Sequence, residues 1–343
     1  MSGISLLGAA AYLPENVVDN AFFGGGNDAR TGMFKGSRAR RHVAPGETAS
    51  SMIERATEQL RARLGGDALR EVDLVLTNVT CPDEPFMGGG ASASKRLGLK
   101  PKRIIDLHNT GCVSFIFMLE LARDLMATGT VRTALLCCVQ NAAGRLFGQE
   151  GNRARPQSAV PGDGCGVGFV VTGDEAPVHS IVTRAFPDYA DDMRIVSDDG
   201  SKYWEPHTDP MYIDFDEARV AKIVARGNLL VPEVVGESCR AAGLRSSDLD
   251  LLVTNQPNHV FLRNWREALL MPREKQVESF EDYGNLFGAA IPINLARAAD
   301  DRRLRPGTRV ALGGFSHAGD YSAAAIWEVG ASATASATGP ASL

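Results

Sequence analysis

Short apolar runs alternate with longer helix-patterned stretches through most of the chain. RIIDL (103–107), TALLCCV (133–139), LDLLVT (249–254) and RVALGG (309–314) have strand length and lie between segments with helical periodicity. That alternation predicts an α/β fold with mostly parallel strands covered by helices. The chain begins MSGISLLGAAAYLPENVV, which reads as a strand running into a turn at Pro14 rather than as a leader, since no charged region precedes the apolar run. Residues 113–128 are apolar nearly all round, including Val113, Phe115, Ile116, Met118, Leu119, Leu121 and Leu125. A helix with no polar face belongs in the interior, and Gly129 is placed to stop it.

An internal repeat refines the picture. DLVLTN (73–78) and DLLVTN (250–255) each follow a helix-like segment and each lead into a polar, Pro-containing turn. GDGCGVGFVVTGDE (162–175) and GGFSHAGDYSAAAIWEVG (313–330) correspond as Gly-rich turns entering strands. Similar units far apart in sequence predict a duplicated fold. With an apolar helix between sheets, the expected architecture is a five-layer αβαβα duplication. Its halves would be residues 1–175 and 176–330, and the small-residue tail 331–343 would be disordered. Residues 140–160 and 186–215 are polar and rich in Gly, Asp and Pro, so they read as long loops.

Composition narrows the function without choosing it. Of 343 residues, 44 % are hydrophobic and 22 % charged, and the formal net charge is −5. No basic excess suggests a nucleic-acid partner, and no uninterrupted apolar stretch is long enough to suggest a membrane span. The six cysteines, at 81, 112, 137, 138, 165 and 239, form no CxxC pair or zinc spacing. Free thiols in a reducing cytoplasm are the expectation, and no metal site is expected.

Cys112 stands apart from the other five. It follows a strand-like run and a polar turn, where the apolar helix begins. A helix N-terminus favours a thiolate, so a thiol there is expected to titrate below its ordinary value. The adjacent N–H is placed to stabilise an oxyanion. On these grounds alone Cys112 is either a nucleophile or a structural cysteine.

Several segments, taken in order, resemble the β-ketoacyl-[acyl-carrier-protein] synthase III-like members of the thiolase superfamily over roughly residues 5–328. They are GAAAYLPENVVDN (8–20), GSRARRHVAPGETASSMIERA (36–56), CPDEPFMGGGASASKRLG (81–98), DLHNTGCVSF (106–115), GDGCGVGFVV (162–171), YGNLFGAAIPINLARA (283–298) and GGFSHAGDYSAAA (313–325). The resemblance implies a thiolase-like duplicated fold, a homodimer, and Cys112 as an acyl-accepting nucleophile. It implies that Phe86 is the aromatic residue reaching the partner's acyl pocket, and that Asn285 is the catalytic asparagine. The acyl group would arrive as an acyl-phosphopantetheine or acyl-coenzyme A thioester, as substrate rather than cofactor.

The chain departs from that family at one position. Where a His-Gln-Ala-Asn stretch is expected, residues 255–258 read Asn-Gln-Pro-Asn. Asn255 has no titrating nitrogen, so it donates hydrogen bonds but shuttles no proton. Asn78 is its counterpart in the first repeat, where only a backbone role is expected. His317, in GFSHAGDY, stands where the family lines its oxyanion hole with glycines, and it is the candidate base. His259 is a weaker candidate for substrate contact. His108 is expected to be structural or to act behind the site, and His42, His179 and His207 have no motif support. SRARR (37–41) with Arg145, Arg153 and Arg155 is either a patch for coenzyme A phosphates or an acidic carrier protein, or a solvated charge run. No aromatic near residues 30–36 clearly matches the one that stacks on coenzyme A in relatives, which favours a carrier-protein donor.

The resulting expectation is a cytoplasmic acyltransferase of secondary metabolism, of the kind found in antibiotic or polyketide pathways. It would move an acyl group from Cys112 to a hydroxyl or amine of a small molecule without decarboxylation. The alternatives are a ketosynthase that primes polyketide or fatty-acid synthesis by decarboxylative condensation, and a non-catalytic ketosynthase partner subunit.

Overall fold

The computed structural model describes residues 3–24, 34–108, 110–206, 208–215 and 217–331. His207, positions 30–33 and the low-complexity tail from 332 onward lie outside the described residues. The first half contributes β1 (Ile4–Tyr12), β2 (Asn16–Asp19), β3 (Ala39–His42), α1 (Ala49–Leu64), β4 (Leu74–Val79), α2 (Gly90–Arg96), β5 (Arg103–Asp106), α3 (Ser114–Ala127), β6 (Thr133–Gln140), α4 (Glu150–Arg153) and β7 (Gly164–Thr172). The second contributes β8 (Val178–Ala185), β9 (Arg194–Val196), β10 (Tyr212–Asp214), α5 (Glu217–Ala241), β11 (Leu251–Thr254), α6 (His259–Ala268), β12 (Gln276–Val277), α7 (Phe280–Tyr283), α8 (Ala290–Asp300), β13 (Arg309–Ser316) and β14 (Tyr321–Glu328).

Two five-stranded sheets carry the fold, in the orders β1-β7-β6-β4-β5 and β8-β14-β13-β11-β12. Position for position these orders are the same. The repeated DLVLTN and DLLVTN segments form β4 and β11, each pairing in parallel with the strands on either side. The Pro14 turn follows β1, as the opening pattern predicts.

Period-2 alternation sorts the strand residues between two faces. Cys138 joins the inner cluster and its neighbour Cys137 the outer one. The inner cluster packs both sheets against α3 and α8, including Phe115, Ile116, Met118, Ile291 and Ile293. The outer clusters pack α1 and α2 on the first sheet, and α5 and α6 on the second. The layers therefore run helix, sheet, helix, sheet, helix, in a thiolase-like α/β fold. The buried helix ends as expected, with Gly129 at φ 75.

Local chemistry fixes the helix starts. Thr48 and Ser51 form a reciprocal capping box at α1, and the Asp83 carboxylate accepts the N–H groups of Ala49 and Ser50 at 2.6 and 3.0 Å. Asp163 is fully buried and accepts N–H groups from Val43, Ala143 and Gly144 at 2.8–2.9 Å, tying β3, β7 and the 140s segment together. Burial pushes its carboxyl up to about 7, against the pull of those three donors and of Arg145.

The two segments read as irregular loops are more ordered than expected. Residues Ala143–Phe147 form a π-helical turn, followed by α4 and a 3₁₀ turn at Pro156–Ala159. The 186–215 segment forms a 3₁₀ turn at Pro187–Asp192 and the β9–β10 hairpin. Its tethers explain the order. Asn152 donates to Met211 O at 2.9 Å, Gln157 donates to Ile213 O at 2.6 Å, and Arg226 bonds Asp192.

Candidate active site

Cys112 sits in a 3₁₀ turn, Gly111–Val113, that runs directly into α3. Gly111 adopts φ 43, and a Cβ there would run into the Ser316 hydroxyl, so the turn needs glycine. The Cys112 N–H donates to Ser316 Oγ at 3.1 Å, which anchors the Cys112 turn to the end of β13.

Three further residues predicted from sequence converge on the same place. Asn255 follows β11, is fully buried, and donates to Phe315 O at 3.1 Å. Asn285 is held by its backbone, donating to Val160 O at 2.8 Å and accepting from Gly162 at 3.1 Å. Its Oδ1 accepts the Phe287 N–H at 3.1 Å. His317 follows β13 with φ 47, and its Nδ1 lies 3.0 Å from Asp320 Oδ2. Its Nε2 faces Gly111, close to where a Cβ on that glycine would lie. Cys112, Asn255, Asn285 and His317 all border one cavity of about 430 Å³.

The state of the Cys112 thiol differs from the expectation. Burial pushes the Cys112 thiol up to about 12, and Asp320 pushes the same way. The Asn255 side chain and the N–H groups of His317 and Cys112 pull it down, but by less than burial raises it. The helix-start effect is present, and desolvation outweighs it. The free thiol is therefore protonated at neutral pH, and its reaction needs a base.

Two other expectations are corrected. His259 does not border the cavity. Asn258 caps α6 by accepting from Phe261 at 3.0 Å, so the helix starts at His259 and turns its ring outward, onto Phe280 and Glu281. The arginine patch is not a patch. Arg40 is fully buried and bonds the carbonyls of Ser37 and Ala159, and Arg145 bonds those of Cys81 and Glu47. Arg153 lies on Phe22, Arg155 pairs with Asp198 over Tyr212, and Arg38 pairs with Asp282.

Phe86 is 95 % exposed, at φ 70, and lies off the cavity of its own chain. Asn78 donates to Leu107 O at 2.9 Å, the backbone role expected of it, and also borders the cavity, as does the exposed His108. His42 is buried between Phe22 and Phe23, and His179 pairs with Glu328.

Some site residues escaped the sequence reading. Asp320 is in the GFSHAGDY stretch, three residues after His317, and a His-x-x-Asp spacing across a Gly turn was its signal. Met193, Ile195, Met211 and Ile213 reach the cavity from the β9–β10 hairpin and left no periodic signal. Phe34, at the edge of the arginine-rich segment, borders the cavity and packs on Phe215.

Residues 105–186 match the model for 3-oxoacyl-[acyl-carrier-protein] synthase III, and residues 239–329 match the model for its C-terminal part, together about half the chain. The chain is 29 % identical to β-ketoacyl-[acyl-carrier-protein] synthase III 2 of Deinococcus radiodurans, covering 94 % of each. It is 27 % identical to β-ketoacyl-[acyl-carrier-protein] synthase III of Alkalilimnicola ehrlichii, covering 92 % of this chain and 96 % of that one. The crystal structure of the Thermus thermophilus β-ketoacyl-[acyl-carrier-protein] synthase III superposes with a TM-score of 0.79 at 28 % identity, covering 95 % of this chain and 99 % of that one. With both halves matched and the fold shared, the chain belongs to the 3-oxoacyl-[acyl-carrier-protein] synthase III family of acyl-transferring enzymes.

Proposed function

We propose that this family member loads an acyl group on Cys112 and transfers it, without decarboxylation, to a hydroxyl or amine of a small molecule in secondary metabolism. One observation carries the reading. The His317 ring borders the cavity with its Nδ1 held by Asp320 at 3.0 Å, while the position of the expected family histidine is Asn255, which accepts no proton. In loading, Cys112 Sγ attacks the thioester carbonyl, its proton passes to His317 Nε2, and the donor's C–S bond breaks. The imidazolium returns the proton to the departing thiolate. In transfer, the acceptor O–H or N–H gives its proton to the same nitrogen, the acceptor attacks the acyl carbon, and Cys112 leaves as a thiol. Asp320 orients the ring through Nδ1 and leaves Nε2 toward the cavity. The free amide N–H groups of Asn285 are available to the carbonyl oxygen.

The donor in this reading is an acyl carrier protein, with coenzyme A as the alternative carrier of the same thioester. The enzyme acts as a homodimer in which the exposed Phe86 and Met87 find their cover. A decarboxylating ketosynthase is the second reading, favoured by the retained Asn285 and by the names of the relatives.

The test separates the half-reactions. The protein is loaded from an acyl thioester and weighed intact, then given malonyl carrier protein or an amine or alcohol. We expect an adduct that Cys112→Ala abolishes, acyl transfer to the amine or alcohol, and no carbon dioxide. His317→Ala and Asp320→Asn should slow transfer by about 10²–10⁴-fold. Carbon dioxide release coupled to chain extension would establish the ketosynthase instead, and no adduct at all would leave the non-catalytic partner.

A further inference from the structure

We infer that Phe287 sets which acyl group the cavity admits, and that the group is uncharged and of limited length; the inference rests on Cys112 being the acyl carrier. Phe287 is a bulky residue at φ 45, in the left-handed region that favours glycine. Such a conformation persists where its surroundings impose it, and it clusters at working sites. Here the surroundings are explicit. The Phe287 N–H is bound by Asn285 Oδ1 at 3.1 Å. Next to it, Gly288 packs so closely that a Cβ would come within 2.6–2.8 Å of Ser114 Oγ, Gly111 O and Asn78 Oδ1. The turn is thus pinned between the catalytic asparagine and the nucleophile turn. Glycine would meet the backbone demand at 287 without strain, so the ring is there for its volume.

That ring borders the cavity and meets Phe147 edge-on, with centroids 6.5 Å apart at 77°. The two aromatics come from separate segments, one from the asparagine loop and one from the π-helical turn, and meet at the cavity. In this inference the pair limits the room open to an acyl chain.

Charge gives the second part. Among the described residues, no Asp, Glu, Lys or Arg borders the cavity. Asp320 acts on the sulfur as a negative charge. A carboxylate on the acyl chain would be desolvated with no Lys or Arg among the described lining residues to meet it.

The experiment uses the full chain and measures single-turnover loading of Cys112 by intact mass, from N-acetylcysteamine thioesters running from acetyl to decanoyl, with succinyl beside butyryl. Wild type should load its preferred straight chain about tenfold faster than decanoyl. Phe287→Gly, which suits φ 45, should move the preferred length up by about two carbons or more. Phe287→Leu keeps an apolar side chain at this position and should give a smaller shift in the same direction. Succinyl should trail butyryl by about tenfold or more in all three proteins. An unchanged length profile in both variants overturns the assignment to Phe287, and succinyl loading on a par with butyryl overturns the assignment of charge. Absence of any adduct on wild type overturns the acyl-cysteine reading and this inference with it. Normal loading with failed transfer in the preceding test counts against transfer to an amine or alcohol and leaves this inference standing.

Discussion

In the proposed reaction the sulfur of Cys112 has to lose a proton before it carries an acyl group, and its surroundings resist that loss. Burial holds the thiol near 12 although three hydrogen-bond donors favour the thiolate. Because the thiol is held above neutral pH, its alkylation by iodoacetamide should climb steadily from about pH 7 to pH 10. A rate already flat below pH 8 would contradict the raised thiol. The same residue explains what was legible in the sequence. Cys112, Asn255, Asn285 and His317 each stand at the end of a strand or beside a glycine, where residue type and neighbours together suggest a role. Asp320 touches the cavity only through the ring it holds, and its one mark in the sequence is its spacing, three residues after His317 across a Gly turn. Titration was misread for a physical reason: the local signal, a helix start, is visible in sequence, whereas the burial that outweighs it is a property of the packed fold.

Between residues and the whole molecule stand the turns that fix the site. Gly288 shares its close space with Ser114, Gly111 and Asn78. Gly288→Ala should displace the nucleophile turn, costing about 1–3 kcal/mol in stability and slowing loading of Cys112 by about tenfold or more. Thermal melting and intact-mass loading check the two effects separately. Asp163 ties three segments behind the site through three N–H bonds. Its carboxyl, ordinarily 3.8, is raised to about 7 in the fold. Between those values the unfolded chain ionises first, so Asp163 removes stability as pH rises from about 4 to 7. Asp163→Asn should lose about 1–3 kcal/mol by giving up an acceptor and should flatten that part of the stability profile, read from melting temperatures across the range. The helices and strands were legible because their periodicity is strong. The β9–β10 hairpin and the 3₁₀ turn before it were not, because what orders them is bonding from Asn152, Gln157 and Arg226, which lie outside them in sequence.

Across the molecule, β5 is an exposed edge strand, with Arg103, Ile104 and Asp106 all open, and Phe86 and Met87 are exposed on the segment leading into α2. In the proposed dimer this face is covered. Size-exclusion chromatography with light scattering should give twice the monomer mass for wild type, and Ile104→Lys combined with Phe86→Asp should shift it to the monomer. A wild-type protein that runs as a monomer at micromolar concentration would remove the dimer and the cross-subunit role of Phe86 together. The repeat was legible from two six-residue segments because β4 and β11 occupy equivalent places in equivalent sheets. The shared cavity was not, since its walls come from both halves.

One consequence follows from the middle layer, to which each repeat gives a single helix. α3 comes from the first half and α8 from the second, and both lie in the inner core between the sheets. A gene cut in the linker after Thr172 would therefore yield fragments that each bare an oily inner surface when made alone. Produced together in one cell, they have the means to reassemble, and the recovered activity would report how far two ancestral copies have become one indivisible unit.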